Sequence, residues 1–192
     1  TEMVKAVLQA SGLDYVIKLR NWDYGYNRAL NKKNHGIFCT TYTESRAPQF
    51  KWVGPLANNL WTIFAPAGTN LQIDDLEDTR GLLYAGYRGD VMTEYLLERG
   101  YKVSEMESDD LNPKRLELGQ VDLWIADQLA GPYFASQQDV EGLVPVYSFN
   151  KTELYLAMNM ETPDEVIQKL NQGLETIKNN GIYEAIETKY GL

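Results

Sequence analysis

An α/β fold built from two open sheets is what this sequence predicts, and three observations carry the prediction. Helical and strand-like segments alternate along all 192 residues, the pattern of sheets covered by helices rather than of a bundle or a sandwich. The alternation starts afresh after the apolar run Asn59 to Ala65, which lies between Pro55 and Pro66 and suits a buried strand. The chain closes with helices after its last strand. Together these divide the chain into a discontinuous first lobe, residues 1–59 plus 153–192, and a second lobe, residues 60–152, joined by ordered strands near Asn58 to Trp61 and Lys151 to Leu154.

Met3, Val4, Val7 and Leu8 recur at helical spacing, and Gly12 ends that helix as a left-handed cap does. Tyr15 to Leu19 reads as a strand, Tyr24 to Lys33 as a short helix and Gly36 to Thr40 as the next strand. In the second lobe Leu82 to Ala85 is a strand, and Asp90 caps a helix through Leu97 that Gly100 stops. Lys102 to Met106 is a strand, Asp110 to Leu118 a helix, and Val121 to Ala126 a strand ending at Asp127. Two further strands are expected at Val144 to Tyr147 and Leu154 to Met158. Thr162-Pro163-Asp164-Glu165 reads as a capping box before a helix striped by Val166, Ile167, Leu170, Leu174 and Ile177. Gly181 breaks it, and Ile182, Ile186 and Tyr190 mark one last amphipathic segment.

Composition excludes several functions. A net charge of −9 argues against a nucleic-acid partner, because affinity for a phosphate backbone rests on clustered Lys and Arg. Cys39 is the only cysteine, so no intrachain disulfide can form and one copy cannot build a zinc site from thiolates. His35, the only histidine, lies in the loop-like run Asn31 to Gly36, where it is either a surface residue or the sole base available to a nucleophile. No stretch reaches the apolar length of a membrane span, and no signal peptide precedes Thr1, as in a mature processed secreted protein or a fragment of something longer. Neither a P-loop nor Gly-x-Gly-x-x-Gly is present, and no cofactor is expected.

Several residues could carry chemistry. Asp127 stands just past an apolar strand, at the edge where open α/β sheets place ligands; it could attract a cation or cap the segment that follows. Thr40 to Arg46 gathers hydroxyls, amides and one guanidinium, a set that suits a carboxylate, or else a solvated turn in which Arg46 pairs with Glu44. The glycine loop Gly86-Tyr87-Arg88-Gly89-Asp90 enters a helix, so its amides could face an anion. Asp109 and Asp110 are adjacent carboxylates, in principle a glycosidase pair but more often a turn and helix start.

Trp22 with Tyr26 and Ala29-Leu30, then Ile37-Phe38, Thr43-x-x-Arg46 and Phe50-Lys51-Trp52-Val53-Gly54-Pro55-Leu56, form a block that resembles the bacterial extracellular solute-binding proteins of family 3. Asp75-Leu76, Leu118 to Trp124, Leu154 to Ala157 and Gly181 to Ile186 are similar to the family's later landmarks, so the resemblance spans essentially the whole chain. It implies the two-lobed type 2 periplasmic binding fold, located in the periplasm or otherwise outside the cytoplasm. It also implies a non-enzymatic, monomeric protein that closes on an amino acid or similar polar solute and delivers it to the permease of an ABC transporter. By that resemblance Arg46 grips the ligand carboxylate, Thr41 adds a contact, the backbone at Cys39 lies near, and Asp127 takes the ammonium. Gly86, Tyr87 and Arg88 would add amides to the carboxylate, and Trp22 offers a ring for stacking. Two departures stand out. The family's opening strand and aromatic-bearing loop have no counterpart here, and Tyr24 occupies a position where the nearest branch carries an arginine. The same fold also serves signalling receptors as a sensor domain, and occasional dehydratases, in which Asp127 or Glu153 would be the acid or base.

Overall fold

In the computed structural model, residues 1–190 are described. The chain forms two compact units, Thr1–Asn58 with the chain from Thr152 onward, and Asn59–Lys151. Two long strands, β2 (Phe50–Ala65) and β6 (Val144–Asn159), each contribute a stretch to both units.

The first unit opens with α1 (Glu2–Ser11), which buries Met3, Val4 and Val7 on one face, and Gly12 at φ 67° closes it by donating its N–H to Gln9 O. In α2 (Trp22–Asn31) the Asn21 side chain accepts the N–H of Tyr24, satisfying one of the donors a helix start leaves open. β1 (Gly36–Thr41) pairs antiparallel with the end of β6, from Gly36 opposite Met158 to Thr41 opposite Leu154. Strand alternation sends Leu156 and Met158 into a core with Val7, Leu170, Leu174 and Ile177, while Ala157 packs with Ala29 and Phe50 on the other face. The chain ends in α6 (Asp164–Asn179) and α7 (Ile182–Tyr190).

Gly173 of α6 decides how closely α1 can approach. A Cβ there would come 2.6 Å from Val7 O and 3.0 Å from Ser11 N, both backbone atoms that cannot rotate aside. Gly173→Ala is expected to force the two helices apart and to cost about 2 kcal/mol, within the range for overpacked cores. A urea-unfolding midpoint equal to that of the parent protein would contradict this.

The second unit carries β3 (Leu83–Tyr87), β4 (Lys102–Met106) and β5 (Leu123–Asp127). β3 runs parallel to both β4 and β5, and β5 runs antiparallel to β2, with Trp61 opposite Asp127. Leu123 and Ile125 face one core with Trp61, Ile63, Tyr84 and Leu96; Trp124 and Ala126 face another with Phe64, Ala85 and Leu116. The covering helices are α3 (Val91–Glu98), α4 (Asn112–Glu117) and α5 (Ala130–Gln137).

Three sequence expectations need correction. Tyr15 to Leu19 is not a strand: Ile17 rests on the core, while Val16 and Leu19 are 80% and 92% exposed. A β-prone run without a neighbouring strand has no ladder to join. The two strands expected at Val144 to Tyr147 and Leu154 to Met158 are one continuous strand, β6. The capping box at Thr162 does not form: α6 begins at Asp164 with Pro163 as its cap, no side chain caps it, and Thr162 Oγ1 is buried without a partner.

Candidate functional site

The candidate residues fall into two sets, one in each unit. In the first unit β1 carries a bulge between Ile37 and Thr40, and within it Cys39 adopts φ 59°. Such a bulge re-aims the strand end and turns the local backbone. The Cys39 residue is exposed, whereas Thr40 and Thr41 beyond it are buried. The chain then turns through Thr43, whose carbonyl and Oγ1 both accept the N–H of Arg46, at 3.1 and 3.2 Å.

This turn delivers Arg46 against α2. Its guanidinium carbon lies 5.7 Å from the centre of the Trp22 ring and 5.5 Å from that of Tyr26, and the residue is only 7% exposed. Trp22 and Tyr26 are one helical turn apart, so both rings reach the same cation. Tyr26 is fixed in turn by its hydroxyl's hydrogen bond with Gln49 Oε1 at 3.0 Å and by an edge contact with Phe50. The structure thus brings Trp22 of α2 and Arg46 together, while Cys39 and Thr41 lie on β1, the strand that precedes the Arg46 turn. Sequence reasoning missed Tyr26 as part of this set, although its spacing from Trp22 was the available signal.

In the second unit Tyr87 and Asp127 stand at the carboxyl ends of β3 and β5, which pair directly. Asp127 caps α5: its Oδ1 accepts the N–H groups of Leu129 and Ala130, both at 2.9 Å. Burial raises its pKa, against the pull of the backbone N–H groups of Ala130, Leu129, Leu60 and Gln128, so desolvation is the larger effect. A partly buried carboxylate whose charge is costly gains from a cation placed beside it.

The glycine loop differs from expectation. The Tyr87 N–H donates to Thr93 Oγ1 at 3.1 Å and the Arg88 N–H to Met106 O at 2.9 Å, so both amides are engaged inside the protein. The first N–H groups of α3, at Met92 and Thr93, are taken by Asp90 Oδ2. Arg88 itself pairs with Glu107 at 2.6 Å on the surface. Gly86 is required by close packing, since a Cβ would fall 2.3 Å from Thr93 Oγ1. This edge therefore carries the Asp127 carboxylate, with Asp90 buried and its Oδ2 engaged at the start of α3, where the sequence led us to expect amides aimed at an anion.

Other features carry less. Asp109 opens a 3-10 turn at Asp109–Leu111, the turn-and-helix-start reading of the acidic pair. A shallow groove of about 490 Å³ along α1 and α7 holds none of the candidate residues, and its Glu2 and Lys189 pair with each other. Among the described residues no group of three or more His, Cys, Asp or Glu is placed to hold a metal, and no helix is long and apolar enough to cross a membrane.

The chain has the periplasmic-binding-protein fold, which solved structures share with it at TM-scores of 0.86 and 0.87. No family model matches the chain. In sequence it is similar to a probable histidine-binding protein of Neisseria gonorrhoeae, 24% identical over 98% of this chain and 72% of that protein. In structure it is similar to a histidine kinase sensor domain with similarity to periplasmic binding proteins, with TM-score 0.87, 25% identity, and coverage of 98% of this chain and 83% of that one. It is also similar to the arginine-, lysine-, histidine-binding protein of Geobacillus stearothermophilus, with TM-score 0.86, 20% identity and coverage of 98% and 83%.

Proposed function

We propose that this protein is a binding module that captures a small polar solute, an amino acid, outside the cytoplasm, for delivery to the permease of an ABC transporter. The observation that carries the reading is the buried Arg46 guanidinium, steadied by the Trp22 and Tyr26 rings. A planar fork held in one orientation suits a carboxylate, and loses little side-chain entropy on binding it. Thr41 at the end of β1 and the turned backbone at Cys39, both on the strand that leads into this turn, are assigned further hydrogen bonds to the solute. In the second unit Asp127 suits an ammonium. The first unit thus offers a cation that suits a carboxylate, and the second an anion that suits an ammonium. The Gly86 to Arg88 loop serves this reading as the frame of an acidic edge rather than as a source of amides.

The relatives named above direct the choice of solutes towards histidine, arginine and lysine, and the acidic edge agrees with a ligand carrying extra positive charge. Isothermal titration with a panel of amino acids is expected to give micromolar binding of at least one of them, about 8 kcal/mol net. Asp127→Asn keeps the helix cap through its side-chain oxygen but removes the charge, and is expected to weaken that binding about tenfold. Equal affinity in a folded Asp127→Asn protein would remove Asp127 from the assignment. The bound solute should be recovered chemically unchanged by mass spectrometry, since no bond is made or broken.

A second reading rests on the sensor-domain likeness, at TM-score 0.87 and 25% identity. Adjoining coding sequence separates the two: a kinase module in the same reading frame indicates sensing, and a permease and ATPase nearby indicate transport.

A further inference from the structure

We propose that Asp109 is a proton-responsive positioning residue, which sets the Gly86 to Asp90 loop according to whether its buried carboxyl carries a proton. The proposal deepens the reading above, in which that loop frames the binding edge of the second unit.

The connection is a short chain of hydrogen bonds. Asp109 is 8% exposed, and its Oδ1 accepts from Asn112 Nδ2 at 2.7 Å and from Trp124 Nε1 at 2.8 Å. The same Asn112 nitrogen donates to Gly86 O at 3.1 Å, so one fully buried amide joins the carboxyl to the loop. Asn112 cannot drift, because its Oδ1 accepts from Arg115, whose guanidinium is held by the carbonyl and hydroxyl of Ser104. Gly86 has no slack either: it is packed on Thr93, and Thr93 Oγ1 accepts the Tyr87 N–H.

The surroundings favour the protonated form. Burial raises the Asp109 pKa most and the carboxylates of Asp90 and Asp110 raise it further, while the bonds from Asn112 and Trp124 oppose them, leaving it at about 7. Asp90 faces it from the start of α3 and Asp110 from the same turn, where Asp110 Oδ1 is buried without a partner. From α4 comes Asn112, with Arg115 bonded to the amide oxygen rather than to the carboxyl. Trp124 comes from β5, and α5, also packed on the turn, brings Tyr133 as its one titratable side chain. Losing the proton places a negative charge beside two others in a poorly solvated pocket. The cheapest relief is movement of Asp90 and the loop that ends at it, which changes the setting of Gly86 and Tyr87 as the proton is lost.

Nuclear magnetic resonance of the 15N-labelled full chain tests this without any solute. Between pH 5.5 and 8.5 the Trp124 indole N–H and the backbone N–H groups of Gly86 and Tyr87 are expected to shift together, with one shared midpoint near neutrality. In Asp109→Asn that joint titration should vanish. In Asp110→Asn, which keeps Asp109, the midpoint should move to lower pH. A Trp124 signal that stays fixed overturns the proposal, and so does a Trp124 titration that leaves Gly86 and Tyr87 unmoved. A joint titration in a protein that binds no amino acid would sink the transport reading and leave this one standing.

Discussion

Arg46→Ala should lose at least 100-fold in affinity for whichever amino acid the protein binds, measured by isothermal titration. A guanidinium–carboxylate fork contributes hydrogen bonds of roughly 1.5 to 3 kcal/mol each, and every 1.4 kcal/mol is about tenfold in binding. The site adds to this: at 7% exposure, with two rings about it, the cation is already desolvated and oriented before a ligand arrives. Arg46→Lys should fall between, losing about tenfold, because an ammonium keeps the charge but not the planar fork. Since removing the side chain also strips Trp22 and Tyr26 of their contact, the variant's circular dichroism must match the parent's before the titration is read. A folded Arg46→Ala protein with parental affinity would dismiss the carboxylate role and, with it, the amino-acid reading.

Much of the fold was legible because it is written locally. Gly12 at positive φ, Asp90 capping α3 and the strand Lys102–Met106 each depend on a few neighbouring residues, and each lies where the sequence placed it. The failures depend on distant partners. Tyr15 to Leu19 has strand composition but no strand beside it, a fact no periodicity can reveal. β6 was expected as two strands because the polar run Asn150 to Glu153 interrupts the apolar pattern, although an ordered strand was expected near Lys151 to Leu154; a strand tolerates polar residues wherever its faces are not buried. Thr162 matched a capping pattern, but burial of its hydroxyl and the fixed geometry of Pro163 leave the pattern unused.

The site shows the same division. Spacing alone could not raise Arg46 above a surface turn or Asp127 above a helix cap; the family resemblance did that. The cap reading of Asp127 nevertheless holds, and one oxygen can cap while the charge remains for a ligand. Tyr26 was readable from its helical offset to Trp22. Asp109 was not, because its partners Trp124 and Gly86 come from other strands and its meaning lies in burial.

Asp109→Asn should make the protein more stable at pH 8, an unusual direction for a fully hydrogen-bonded buried residue. The sign follows from linkage. In the unfolded chain the carboxyl titrates near 4, whereas in the fold burial and the neighbouring carboxylates hold it at about 7. Between those values the native state binds a proton that the unfolded state has released, so stability falls as pH rises through the window and the penalty is complete above it. A shift of about three units corresponds to roughly 4 kcal/mol as an upper bound, of which about 3 should be recovered once the weaker bonds of a neutral side chain are allowed for. Asparagine keeps an oxygen to accept from Asn112 and Trp124, so both donors stay satisfied. For a protein of this size the melting temperature should rise by about 6 to 12 °C at pH 8 and change little at pH 5. Because two compact units need not unfold as one, the Trp124 indole N–H resonance is the proper probe of the second. Loss of stability in Asp109→Asn at pH 8 would mean that the charged carboxylate is what the Asn112 and Trp124 donors require, and that the fold holds Asp109 ionised.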